Sequence, residues 1–205
     1  MKDIAVNKDL ANPLNPALAV EPSTGASAGL RFAGIILAGS AFVAVCAHIA
    51  LPLYFTPVPL SMAPFAVLVL GLILSPRLAA STLAAYLMEG AMGLPVFSPS
   101  PAIPGYAHLI GPTGGYLLSY PLAAALIALL AARFGRGFTA SAFSAAIGSL
   151  MILACGASWL AVLTHASAQS VFSLAVLPFL PGDALKVVAA AALSAGWTRL
   201  RRRSA

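Results

Sequence analysis

The sequence predicts an all-α integral membrane protein with six transmembrane helices and both termini in the cytoplasm, and three observations carry that prediction. The 205 residues are 60% hydrophobic and 8% charged, with a mean hydropathy of +0.97, so the chain cannot clothe a water-soluble globule in polar surface. Between Phe32 and Trp197 only six residues are charged: Arg77, Glu89, Arg133, Arg136, Asp183 and Lys186. The apolar length in that stretch suffices for about six spans of about 20 residues each. The basic residues are also strongly ordered along the chain.

Apolar runs and their breakers place helices near 32–52, 59–75, 78–94, 114–132, 141–172 and 182–198. Pro52 to Pro59 ends the first, Ser75-Pro76-Arg77 parts the second from the third, and the Pro- and Gly-rich stretch from Pro95 to Gly115 follows the third. Ser141 to Leu180 is too long for one simple span, so its later part is expected to be a bent extension or a re-entrant piece. Residues 1–30 mix Lys, Asp and Glu with Asn, Pro, Ser and Ala; they read as a flexible tail and lack the apolar core of a secretory signal. The expected organisation is therefore a tail over 1–30, a membrane domain over 31–198 and a basic tail over 199–205.

Ten of the eleven basic residues fall on alternate connections. Lys2, Lys8 and Arg31 precede helix one, Arg77 joins helices two and three, Arg133 and Arg136 join four and five, and Arg199, Arg201, Arg202 and Arg203 follow helix six. The positive-inside rule puts these flanks in the cytoplasm. Short basic flanks of apolar segments explain the net charge of +6 better than a nucleic-acid surface does.

Lys186 is the exception, and with Glu89 and Asp183 it lies within or at the end of an apolar run. An ionisable group at the centre of a bilayer costs about 2.5–3.5 kcal/mol on insertion scales, which makes each a candidate functional residue. Asp183 and Lys186, three apart, share a helix face. The expected orientation brings all three charges into the outer half, where they would line a pocket opening outward. The bland readings stay open: Asp183 as a helix N-cap with Lys186 neutralising it, and Glu89 as a structural pairing between helices.

Other patterns carry less. Gly111-Pro112-Thr113-Gly114-Gly115-Tyr116 lacks the Lys of a phosphate-binding loop, and Gly25-Ala26-Ser27-Ala28-Gly29 lacks the strand-to-helix turn of a nucleophile elbow. Cys46 and Cys155 sit in apolar runs without ligand spacing, so neither a disulfide nor a metal site is expected. Of His48, His108 and His165, the one in the outer loop, His108, is best placed to meet a ligand. Helix one carries Gly34 and Ala38, Ser40 and Ala44, and Cys46 and Ala50 at spacing four, a small-residue surface suited to close helix approach.

The run Tyr86-Leu-Met-Glu89-Gly90-Ala-Met-Gly93-Leu94-Pro95-Val96-Phe97, then Gly111 to Tyr116, then Pro181-Gly182-Asp183-Ala-Leu-Lys186 resembles the BioY family, the biotin-specific S components of energy-coupling factor (ECF) transporters. The resemblance covers most of the chain from about residue 32. It implies the S-component fold, an outward-facing biotin pocket, no enzymatic activity and no bound cofactor. It also implies a transmembrane coupling protein and two ATPase subunits as partners, with ATP consumed by the latter, in the bacterial cytoplasmic (inner) membrane. By family motif Asp183 and Lys186 contact the ligand, and the Gly111 to Tyr116 segment, Gly114 included, closes over it with the loop before it.

Two departures from the family pattern stand out. A Gln common after a Val-Pro pair is absent from Val58-Pro59-Leu60-Ser61-Met62-Ala63, and Ser98 to Ile110 contains no Arg of the kind some members use for the ligand carboxylate. Lys186 is then expected to hold the carboxylate, alone or with backbone donors or His108. Asp183 and Glu89 suit the ureido N–H groups, while Tyr86, Phe97 and Tyr116 supply walls for the thiophane ring and valeryl chain. The competing functions are a self-sufficient secondary carrier with Glu89 or Asp183 as proton relay, an S component for another vitamin and, last, an intramembrane enzyme.

Overall fold

The computed structural model describes residues 25–53, 55–99 and 105–203. The stretch read as a tail lies outside them up to residue 24. Helix α1 (Gly25–His48) leads into a minimal antiparallel hairpin, β1 (Ala50–Leu51) with β2 (Leu60–Ser61), pairing Ala50 with Ser61 and Leu51 with Leu60. Then follow α2 (Ala63–Ile73), α3 (Pro76–Ala91), α4 (Ala107–Ile110), α5 (Gly114–Phe134), α6 (Phe138–Thr164), α7 (Ala168–Ala175) and α8 (Leu180–Arg203).

The six expected helices correspond in order to α1, α2, α3, α5, α6 and α8, with several boundaries moved. Among the described residues three helices, α1, α5 and α6, are long and apolar enough to cross a membrane, and α7 with α8 makes a fourth span if that bent pair counts as one. Helix α2 has only 11 residues, about 16 Å at 1.5 Å per residue, against a hydrocarbon core of about 30 Å. The turns expected at its start are spent on the hairpin, where Pro52, Pro57 and Pro59 deny the chain helical donors. Its end is set by Ser75, held extended (φ −74°, ψ 156°) in front of Pro76.

Helix α2 is apolar all round and correspondingly central. Ala66, Val67, Leu68 and Leu72 are completely buried, and α1, α3, α5, α6 and α8 all pack on it. Glycines bring the helices this close. A Cβ on Gly71 of α2 or Gly148 of α6 would run into Ile127 of α5, and one on Gly39 of α1 would run into Thr82 of α3.

The excess length after Ser141 resolves into a separate helix. Helix α6 stops at Thr164, where His165 takes a left-handed conformation (φ 51°), and Ser167 caps α7 by accepting from the Ser170 amide at 3.3 Å. Val171 and Ala175 fold α7 back onto Leu160 of α6, and the axis bends by 51° into α8.

Candidate ligand-binding site

One pocket collects most of the singled-out residues. Its lining comes from the α1–α2 hairpin (Pro57, Val58, Pro59, Ser61), the start of α2 (Ala63, Pro64), the end of α3 and the following loop (Tyr86, Phe97, Ser98), α4 and the start of α5 (His108, Thr113, Tyr116, Tyr120), the middle of α6 (Ile152, Leu153) and the entry to α8 (Phe179, Asp183, Lys186). Apart from Lys186 itself, these lining segments carry no Lys or Arg. Arg77 lies at the start of α3, and Arg133 and Arg136 at the α5–α6 connection.

Asp183 and Lys186 form its polar centre. Helix α8 starts at Leu180, so Asp183 lies inside its first turn with its own amide donating to Phe179 O at 2.8 Å. The N-cap reading therefore fails, and the side chain is free to turn inward. Lys186 Nζ donates to Asp183 Oδ1 at 3.0 Å, Ser149 Oγ of α6 donates to Oδ2 at 3.4 Å, and both charged residues are buried. Removing either partner alone would strand a buried charge, at a cost of about 3–5 kcal/mol.

Aromatic rings build two walls. Tyr86, fully buried, donates its hydroxyl to Val96 O at 3.1 Å and meets Phe97 edge-on at 5.4 Å, and Phe97 meets His108 at 5.5 Å. Gly90, one turn after Tyr86, makes room for Phe97, since any Cβ there would overlap the ring. On the other wall Tyr116 leans on Phe179 at 6.3 Å and donates to Ala175 O at 2.8 Å, tying α5 to the end of α7.

Two candidates lie outside the lining. Glu89 does not converge on Asp183 and Lys186, because at its position on α3 it faces α1, where its carboxylate accepts a hydrogen bond from Ser40. Gly114 acts through spacing: a Cβ there would strike Leu109 O, and one on Gly115 would strike Trp159 of α6. Trp159 in turn donates to Gly111 O at 2.9 Å, so the Gly111 to Tyr116 segment is strapped to α6 and delivers Pro112, Thr113 and Tyr116 to the pocket.

Sequence reasoning missed Ser149, Tyr120 and the hairpin residues. Ser149 and Tyr120 stand among many apolar and small neighbours, and nothing local marks them. The hairpin's Pro57 and Pro59 were visible only as punctuation.

Apolar helices around a largely apolar pocket with one ion pair make this a multi-pass membrane protein, and its fold is that of the S components. A crystal structure of the S-component for biotin from an ECF-type ABC transporter superposes with a TM-score of 0.75 at 22% identity, over 85% of this chain and 93% of that chain. Residues 21–203 match the BioY family, and the chain belongs to that family. A biotin transporter BioY of Thermotoga maritima is 35% identical over 155 residues, 76% of this chain and 88% of that protein. A probable biotin transporter BioY of Pyrococcus horikoshii is 37% identical over 134 residues, 65% of this chain and 76% of that protein. Family membership makes this chain a transporter component rather than an enzyme.

Proposed function

We propose that this chain is the biotin-binding S component of an ECF-type transporter in a bacterial cytoplasmic membrane. A coupling protein and ATPases would drive uptake, and the pocket would open outward. The observation that carries the reading is the buried Asp183–Lys186 pair inside the pocket of a BioY-family fold. The basic flanks support cytoplasmic termini on either side of the 31–198 membrane domain.

The geometry favours one assignment of the polar groups. A pair 3.0 Å apart serves one end of a ligand, and a neutral ureido ring offers both a carbonyl for Lys186 and N–H donors for Asp183. A ligand carboxylate on Lys186 would instead leave two anions sharing one buried cation. Asp183 and Lys186 therefore bind the ureido ring in this reading, with Tyr86, Phe97 and Tyr116 against the thiophane ring and chain. Glu89 and Gly114 hold the helices that carry them.

Titration calorimetry of the purified chain in nanodiscs, against a panel of vitamins and without ATP, tests this. Biotin should bind and the others should not. Preference for another vitamin would sink the ligand assignment, and ATP-independent accumulation by the chain alone in liposomes would sink the transporter class.

A further inference from the structure

Tyr86, Tyr116 and Tyr120 all line the pocket, and their hydroxyls are used differently. Tyr86 donates to Val96 O and Tyr116 to Ala175 O, so both are spent on the backbone of the fold. The Tyr120 hydroxyl has no hydrogen-bond partner among the described residues, although Tyr120 is only 3% exposed. Every fully enclosed side-chain polar atom among those residues is partnered, so a hydroxyl without a partner opens onto the cavity. A polar group kept in so apolar a setting is costly until something bonds it.

The position of Tyr120 decides which part of a ligand it meets. It lies one turn further along α5 than Tyr116, and Asp183, Tyr86 and Tyr116 are all near enough to act on it electrostatically. Beyond it α5 carries no polar side chain before Arg133, and Ala123, Ala124 and Ile127 close the packing completely. The hydroxyl is therefore the last polar group of α5 before the packed floor, on the side of the Asp183–Lys186 pair.

The chemistry of the ligand head supplies the partner. A ureido oxygen carries two lone pairs, and Lys186, which also donates to Asp183, provides for one of them. A phenolic O–H suits the other, and the hydroxyls of Tyr86 and Tyr116 are already committed. We propose that the Tyr120 hydroxyl donates to the ureido oxygen beside Lys186 and so selects for a ring head that ends in oxygen. This rests on the biotin reading and adds a third polar contact to it. A site built to hydrogen-bond an acceptor discriminates against an analogue in which that acceptor is weak.

The test measures three ligands against the full chain in nanodiscs: biotin, desthiobiotin, which keeps the ureido ring and lacks the ring sulfur, and the thiourea analogue of biotin, in which sulfur replaces the ureido oxygen. Tyr120→Phe removes the hydroxyl alone and should weaken biotin and desthiobiotin alike by about tenfold, and the thiourea analogue by less than about twofold. Thermal unfolding of the variant without ligand should not fall, because no protein group loses a bond. Equal losses for all three ligands, or a lowered unfolding temperature without ligand, would make Tyr120 a structural residue and overturn the proposal. No loss for biotin would overturn it too, as would a loss confined to biotin and its thiourea analogue, which places the hydroxyl at the ring sulfur. If the unaltered protein binds neither biotin nor desthiobiotin, the biotin reading fails first and this proposal goes with it.

Discussion

Asp183 and Lys186 sit one turn apart on α8 as a buried ion pair, and Ser149 reaches across from α6 to the carboxylate oxygen that Lys186 leaves over. The pair is therefore a structural liability as well as the proposed ligand platform, and the two roles separate experimentally. Lys186→Met alone leaves Asp183 uncompensated and should lower stability by about 3–5 kcal/mol, whereas Asp183→Leu with Lys186→Met should unfold no earlier than the parent. Both variants should lose biotin. Near-normal affinity in the double variant would show that the pair does not touch the ligand.

Glu89→Gln keeps a group able to accept from Ser40, so biotin affinity should stay within about twofold and stability within about 1 kcal/mol. Glu89→Leu, which leaves the Ser40 hydroxyl without that partner, should cost about 1–3 kcal/mol in thermal unfolding. A tenfold loss of affinity in Glu89→Gln would mean that the carboxylate does reach the ligand.

Gly90→Ala places a methyl group where the Phe97 ring lies, so Phe97 must leave its position on the pocket wall. Overpacking of this kind costs about 1–3 kcal/mol, and here it should appear chiefly as faster biotin release, by about tenfold or more. Phe97→Ala should phenocopy it, and combining the two should add little. Independent, additive effects would argue against the shared contact.

The small residues of α1 do not form one surface. Gly34 and Ala38 are exposed, Ser40 and Cys46 are buried, and Ala44 packs against the core. If α1 docks on the coupling protein, Ala38→Leu should reduce ATP-driven uptake in the reconstituted transporter while biotin binding by the chain stays intact. Ala44→Leu should instead lower the stability of the isolated chain. Full uptake by Ala38→Leu would remove this docking face.

The orientation is checked by labelling. In a background with Cys46 and Cys155 replaced, Leu94→Cys on the exposed α3–α4 connection should react with an impermeant maleimide from outside intact cells, and Arg136→Cys only after permeabilisation. The reverse pattern would invert the pocket.

What was legible in the sequence follows from the physics of lipid. Charge is so expensive in a bilayer that Asp183 and Lys186 stood out at once, and so did the basic connections. Glu89 stood out for the same reason, but depth along a helix says nothing about which neighbour the side chain faces, and one turn from Tyr86 it meets α1 instead of the pocket. Hydropathy likewise merged the hairpin with α2, because Leu60 and Met62 are as apolar as the helix that follows. Ser149 was silent because its importance lies in a partner 34 residues away.

The shortness of α2 sets how deep a bound molecule sits. The helix rises about 16 Å from the Arg77 connection to Ala63, which lines the pocket, about half of a hydrocarbon core of about 30 Å. Above that level the non-helical hairpin is tolerable because it borders a cavity rather than lipid tails. If the pocket opens outward as proposed, a molecule resting beside Ala63 and Asp183 would already have travelled roughly half the thickness of the barrier by diffusion alone. Only the inner half, floored by the packed glycine contacts of Gly71 and Gly148 around Ile127, would then remain for the proposed energy-driven movement to open.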